Sequence, residues 1–344
     1  MSADYVVGKP KLIEKAYGEK YGLCRIPGMV MTDKKTLLCY YEARADFGDW
    51  AKIDLKVIRS IDKGETFSDV FTVESEGDTI NNPVMVVDGE TVHLLFLYNY
   101  KRLFYSRSTD DGMSFSEPQE ITEALNSDGT PYTVAATGPG HGIVHNGRII
   151  IPLWYGYNPE EPKKHSPTKV RTLYSEDGGK SWKLGEPIGA DILVNANESA
   201  MAVTPDGEVI ISIRHRTDNG LKRAIAIRPD GISGWSEPVF MDTLPDPKCM
   251  CSMTYDDRLE YHINCTSTTE REDRTVKIIT DKFSSYESIY VSKYAGYSDI
   301  AVDGDEMFVF FERFHEKFHK KSVMETYRDE DDGLYFVKIT KDHI

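Results

Sequence analysis

Residues 23–67 bring together the most chemically suggestive side chains of the chain. Arg25 stands before Ile26-Pro27, and proline stiffens the backbone that follows it. A guanidinium held on a stiff turn suits a two-pronged grip on a small carboxylate. Further on, the acidic loop Asp46-Phe47-Gly48-Asp49 lies between two apolar runs, where a carboxyl group could give or take a proton. These two features read as a site. A third, Ser60-Ile61-Asp62-Lys63-Gly64-Glu65-Thr66-Phe67, has the composition of a tight turn and returns downstream, so it reads as scaffold.

The bulk numbers narrow the partners. The formal charge of −15 over 344 residues argues against nucleic acid or an anionic membrane surface, since a duplex binder needs a broad basic face. A few clustered arginines can still bind a small anion. Five cysteines, at 24, 39, 249, 251 and 265, show no disulfide framework, and Cys249-Met250-Cys251 is too closely spaced for a common zinc site. No metal or other cofactor is expected. No run approaches the roughly 18 apolar residues of a spanning helix, and MSADYVVGKPKLIEK lacks the apolar centre of a secretion signal. The expected location is cytoplasmic with reduced thiols, or secreted if a leader has been removed. Nothing in the sequence specifies an oligomeric state.

The elements that must position the site are strands. Short runs rich in β-branched and aromatic residues recur, among them 36–41, 92–97, 148–152, 208–213, 275–279 and 307–311. Several follow Asp-Gly pairs, at 88–89, 206–207 and 303–304, which supply the positive φ of tight hairpins. No long amphipathic helix is visible, and 120–126 allows one or two helical turns. The pattern S-x-D-x-G-x-x-[FW] starts at Ser60, Ser108 and Ser175, with a degenerate copy from Arg228 to Trp235, so successive starts lie 48, 67 and 53 residues apart. A repeat near 50 residues made of short strands predicts propeller blades, about six to seven in a chain of this length. No domain boundary is visible, and 1–344 reads as one all-β unit. The polar stretch 158–168 reads as a long loop between strands, and 314–342, dense in charge, as a surface strand or tail.

With Arg25-Ile26-Pro27 upstream, the turn repeats match Asp boxes, and the chain resembles the sialidases over about residues 20–315. The resemblance implies a six-bladed β-propeller with Asp-box turns. It also implies three arginines that bind the sugar carboxylate. Arg25 matches the first. Arg214, at the end of an apolar strand, matches the second, with Arg216 as the alternative. Arg271 matches the third by spacing, with Arg274 as the alternative. Asp49, after Glu42-Ala43-Arg44, matches the acid/base, with Asp46 as the alternative in the same loop. Glu198, in Asn197-Glu198-Ser199, matches the general base. Tyr297, in Ala295-Gly296-Tyr297-Ser298-Asp299, matches the nucleophile, and Glu312 the carboxylate that steadies Arg25. His141, in Gly138-Pro139-Gly140-His141-Gly142, is expected to be structural rather than catalytic. Tyr155 and Tyr157 are candidate pocket walls.

The chemistry of these residues is coherent. A sialic acid carries a carboxylate on its anomeric carbon, so a carboxylate nucleophile would be repelled and a neutral tyrosine would not. The phenol needs an adjacent base, and Glu198 would supply it. Asp49 would protonate the leaving oxygen and then activate water. The expected activity is that of an exo-α-sialidase, releasing terminal sialic acid from sialylated glycans with retention. Two rivals stand beside it. One is a related glycosidase acting on another acidic sugar or forming an anhydro product. The other is a non-catalytic propeller that binds a glycan or protein, which would hold Tyr297 and Glu198 beyond hydrogen-bond reach.

Overall fold

Short strands with one or both faces apolar must bury those faces against another sheet, and a ring of sheets satisfies all of them at once. In the computed structural model, which describes residues 5–18, 21–218, 220–256, 259–279, 283, 285–314 and 331–342, six sheets of four or five strands form the expected six-bladed β-propeller. The first blade is Leu23–Met31, Leu37–Arg44, Ile53–Ser60 and Ser68–Val73, paired antiparallel in that order. The first strands of successive blades, such as Leu23–Met31, Ile80–Asp88, Ser252–Tyr255 and Ser298–Asp303, pack around the axis. The helical turn allowed near 120–126 is a short 3-10 helix, Thr122–Asn126.

The last blade corrects one expectation. Part of the stretch read as a surface strand or tail is an internal strand, Gly333–Lys341, with Leu334, Phe336, Val337 and Ile339 buried. It pairs with Glu306–Arg313 on one side and with the N-terminal strands Tyr5–Val7 and Lys11–Lys15 on the other. Both ends of the chain therefore share one sheet, which closes the ring. The apolar run Leu334-Tyr335-Phe336-Val337 was masked by its charged surroundings, and residues 315–330 of that stretch lie outside the described ones.

The Asp boxes are joints between blades. In the first, Ser60 Oγ donates to Asp62 at 2.7 Å and accepts the Gly64 N–H at 2.8 Å, while Asp62 accepts the Thr66 N–H at 2.9 Å and its hydroxyl at 2.6 Å. The same bonds recur in the boxes at Ser108 and Ser175. In the degenerate copy Asp230 accepts the N–H groups of Ile232 and Ser233 at 3.0 and 3.2 Å. Gly64 has φ +88°, and a Cβ there would lie 2.0 Å from the Phe336 ring of the preceding blade; at Gly112, φ +73°, it would lie 2.5 Å from Leu38 of the blade before. Glycine is needed both for the backbone angle and for the close approach. Each box follows the third strand of its blade, whereas Asp49 precedes the third strand of the first blade, so boxes and site occupy opposite ends of the ring.

At the axis, Asp299 ties four blades together. Its carboxylate accepts the Met29 N–H at 2.8 Å, the Ile300 N–H at 2.9 Å, the Ser252 hydroxyl, and His141 Nδ1 at 2.8 Å. His141 is thus engaged in the scaffold. Gly64→Ala is expected to cost about 2–4 kcal/mol, from strain and overpacking together. Gly89→Ala, with positive φ but open space around it, should cost about 1 kcal/mol. Urea denaturation of the two variants checks the difference, and equal costs would contradict the joint.

Candidate active site

Glu312 is fully buried and organises one wall. It receives Arg25 through two parallel bonds, Nε to Oε1 at 3.0 Å and Nη2 to Oε2 at 3.1 Å. The same two oxygens accept the backbone N–H of Ile26 at 3.0 Å and of Tyr297 at 2.9 Å. Burial alone would raise the Glu312 carboxyl, but the Arg25 charge and these hydrogen bonds outweigh it and hold the group at about 2. The price of this arrangement is local strain: Ile26, a β-branched residue, sits at φ +56°, within a bulge between Arg25 and Gly28. Strain of this kind persists only where its surroundings enforce it, and here the Glu312 bond to Ile26 N–H does so.

Tyr297 and Glu198 meet directly. The phenol donates to Glu198 Oε1 in a short hydrogen bond, and Arg214 Nη1 reaches both Glu198 Oε2 and, at 3.0 Å, the phenol oxygen. The ladder between Ser199–Val203 and Val209–Ile213 brings these residues side by side: Arg214 N–H donates to the Glu198 carbonyl at 3.1 Å, just past the Ser199–Ile213 pair. Arg25 and Arg271 lie over the Tyr297 ring, at 5.2 and 5.4 Å from its centroid. Burial, then the Glu198 charge, push the phenol well above its ordinary range, against Arg214 and Arg271. The tyrosine is therefore neutral at pH 7 until a base takes its proton.

The alternatives separate in space. Arg216 is exposed. Arg274 is buried and spent on backbone: it donates to the Glu312 carbonyl at 2.9 Å, to Gly296 at 3.0 Å and to Tyr297 at 3.2 Å. Arg274 fixes the turn that carries Tyr297, while Arg271 joins Arg25 and Arg214 around the ring. Asp46 is exposed and caps its own loop, accepting the Gly48 N–H at 2.7 Å.

Asp49 is held by Arg44, whose Nη1 donates at 2.9 Å. The buried Arg44 is anchored in turn by Glu42 Oε2, and Glu42 Oε1 accepts the Asn82 N–H at 2.7 Å. Although 52% of the Asp49 side chain is exposed, partial desolvation raises its carboxyl; Arg44 and then Arg25 outweigh that, so the net displacement is below the usual range. Beside Asp49 stands an aromatic group that the sequence did not signal: Trp50, Tyr100, Trp154 and His165. Tyr100 lies 4.9 Å from Trp50 and 4.5 Å from His165, with Trp154 5.3 Å from His165. The expected loop runs over 157–167 and carries His165, and its Lys163 carbonyl accepts the Trp50 indole N–H at 3.2 Å. Three blades contribute to this group, which is why no local pattern marks it. Of the candidate walls, Tyr155 is largely buried beneath Arg171, at 5.3 Å from that guanidinium, and lines the same cleft as Tyr157. Tyr157 is half exposed beside a cleft of about 460 Å³ that Thr130, Val194 and Asn195 also line. Among the described residues no group of three or more His, Cys, Asp or Glu is placed to hold a metal ion.

The Glu312 carboxylate makes acid stability a test. A group with a depressed folded pKa stabilises above its unfolded value, about 4.5, and the contribution disappears as pH falls through the folded value, about 2. Urea unfolding at a series of pH values should show stability falling across that window, and Glu312→Gln, less stable at pH 7, should show a flatter acid limb. An unchanged limb would remove Glu312 as its source.

Comparison with known proteins agrees with this arrangement. A family model described as a BNR repeat-like domain matches residues 68–309. A sialidase of Bacteroides fragilis is 26% identical over 264 residues, covering 67% of this chain and 46% of that protein. An exo-alpha-sialidase of Arthroderma benhamiae is 25% identical over 312 residues, covering 78% and 69%. This chain thus spans less than half of the bacterial relative. Among solved structures, Hadza microbial sialidase Hz136 superposes with TM-score 0.79 at 22% identity, over 96% of this chain and 68% of that one. Trypanosoma rangeli sialidase in complex with sialic acid gives TM-score 0.70 at 16% identity, over 99% and 59%. At these identities the two structures speak to the fold.

Proposed function

From a chain that belongs to the BNR repeat-like family, and within it to the sialidases, we propose an exo-α-sialidase that hydrolyses terminal sialic acid with retention through Tyr297. The observation that carries the proposal is the buried hydrogen bond from Tyr297 to Glu198 inside a ring of three arginines. A propeller that only binds would have no use for a phenol and a carboxylate in direct contact beneath an anion site. The relatives named as sialidases support the substrate class.

In this reading Arg25, Arg214 and Arg271 take the substrate carboxylate and set the anomeric carbon over the Tyr297 oxygen. In the free protein Arg214 is shared between Glu198 and Tyr297. A substrate carboxylate competes for that guanidinium, while Glu198 keeps its direct hydrogen bond to the phenol whose proton it must accept. Tyr297 then attacks while Asp49 protonates the departing oxygen. An anionic sugar that displaces water beside Asp49 raises its pKa from the depressed resting value, favouring the acid form. In the second half, Asp49 takes a proton from water, which releases the sugar from Tyr297. Every step uses protein groups, and the chemistry calls for no metal or organic cofactor.

Tyr297→Phe should lower kcat on a fluorogenic N-acetylneuraminic acid glycoside by about 10²–10⁴-fold with little change in substrate affinity. Near-normal turnover would remove Tyr297 as nucleophile. Asp49→Ala should lose a similar factor on natural sialosides and far less on a nitrophenyl glycoside, whose leaving group needs no acid. Equal losses on both would argue against the acid role. Chromatography of the product separates free sialic acid from an anhydro sugar.

A further inference from the structure

Outside the arginine ring, the same end of the propeller carries a second cavity. The cleft of about 460 Å³ beside Tyr157 lies between the third and fourth blades. Thr130 lines it from the approach to Val134–Thr137, Tyr157 and Pro167 from the two ends of the connection before Thr168–Ser175, and Val194 and Asn195 from the approach to Ser199–Val203. These positions share the Asp49 end of the ring, away from the Asp boxes. Among the first five blades, 157–167 is the longest connection between a second and a third strand. An ordered loop of this kind in a compact fold is commonly a binding loop.

The rim of the cleft is apolar and open to water. Tyr157 is 50% and Val194 54% exposed, and Ile192, two residues before Val194, is exposed as well. Exposed apolar side chains grouped at a cavity mark a binding surface. Their backbone is fixed before any ligand arrives. Val194 N–H donates to Thr217 Oγ1 at 2.9 Å, and its carbonyl accepts the Arg216 N–H at 2.7 Å. Asn158 N–H, next to Tyr157, donates to Thr133 Oγ1 at 3.0 Å. Asn195 Oδ1 accepts the Thr168 N–H at 3.3 Å, which leaves its amide NH₂ as a donor. Thr130 and the exposed Lys169 add polar groups to the lining. An aromatic face beside a few hydroxyl, amide and ammonium groups suits a neutral sugar, whose C–H face stacks on the ring while its hydroxyls take the hydrogen bonds.

Two paths join the cleft to the candidate active site. From Asp49, Trp50 follows in sequence, and its indole N–H donates to the Lys163 carbonyl of the loop at 3.2 Å. His165 stands 6.0 Å from Trp50 and two residues before Pro167. From Glu198, Val194 is four residues back, so the two lie at most about 14 Å apart. An exo-acting enzyme holds the terminal sugar, and every other sugar of that glycan lies beyond the leaving oxygen, on the side of Asp49. We propose that the cleft is a subsite for neutral sugars on the leaving side of a sialylated glycan, with Tyr157 as its stacking platform. The protein then favours sialic acid borne on an oligosaccharide over sialic acid borne on a small alcohol.

This inference rests on the proposed exo-sialidase reading, and two measurements keep their failures apart. In the first, the full chain hydrolyses the methyl glycoside of N-acetylneuraminic acid and sialylated lacto-N-tetraose, with released sialic acid followed by chromatography. Tyr157→Ala should lower the ratio of kcat/KM on the tetraose to that on the methyl glycoside by about three- to tenfold, mostly through KM. Tyr157→Phe, which keeps the ring, should lower it by less than about twofold. In the second, saturation-transfer NMR of the full chain with unsialylated lacto-N-tetraose reads the cleft without catalysis. The sugar protons should take up saturation from the wild type and lose most of it with Tyr157→Ala. An unchanged ratio would overturn the proposal, as would equal losses in the alanine and phenylalanine variants, or no saturation of the neutral glycan. If neither sialoside is turned over while the NMR difference persists, the cleft stands as a sugar site and the failure lies with the proposed function.

Discussion

A propeller has no single sandwich core, and the first strands of its blades meet around the axis. Asp299 supplies the tie there. A single buried carboxylate accepts backbone N–H groups from the first and last blades, a hydroxyl from the fifth, and the His141 ring from the short strand Gly140–His141 that pairs onto the second. Such a charge is costly to bury unless its lone pairs are occupied, and here they are. Tyr297 stands two residues before Asp299, so the tie that holds the axis also sets the height of the phenol. Scaffold and site share one short strand, Ser298–Asp303, and its approach.

The site is built from buried charges in pairs. Glu312 holds Arg25, and Glu42 holds Arg44, and each of these carboxylates also binds backbone N–H groups. Buried ion pairs add little net stability, because desolvation consumes most of the Coulomb gain, but breaking one typically costs about 3–5 kcal/mol. What they provide is geometry. The bidentate grip of Glu312 holds the Arg25 guanidinium in one orientation and removes its rotamer freedom. The positive φ of Ile26 belongs to the same account, since the bulge that strains it turns Arg25 toward Glu312 and Tyr297.

The two ends of the ring divide the work. At one end the Asp boxes pack each turn onto the preceding blade, with small residues and self-contained hydrogen bonds. At the other, longer loops bring together Asp49, Trp50, Tyr100 and His165 from different blades. Rigid joints at one end allow irregular loops at the other. Cys249 and Cys265 are buried beneath the turn of Tyr297, each with its sulfur near the Gly296 carbonyl.

Local chemistry was legible in the sequence because it depends on neighbours in the chain. The Asp-box spacing, the strand runs, Arg25-Ile26-Pro27 and the segment around Tyr297 each express a torsional or hydrogen-bonding preference complete within eight residues or so. Together with the resemblance they led to the propeller and to Arg25, Glu198, Arg214, Arg271 and Glu312, which lie against Tyr297 in the structure. Choices that depend on distance through space were not legible. Arg271 and Arg274 are three residues apart in one charged run, and only the fold shows that the Gly296 and Tyr297 carbonyls claim Arg274. Asp46 and Asp49 share a loop, and only the position of Arg44 distinguishes them. The strand Gly333–Lys341 was hidden because its reason for being buried is ring closure, a condition imposed by residues 5–15 at the other end of the chain. Sequence alone determined the turns, the strands and the kinds of side chain available for chemistry; the closing of the ring decided which of them meet, because contacts across hundreds of residues are set by packing and not by local preference.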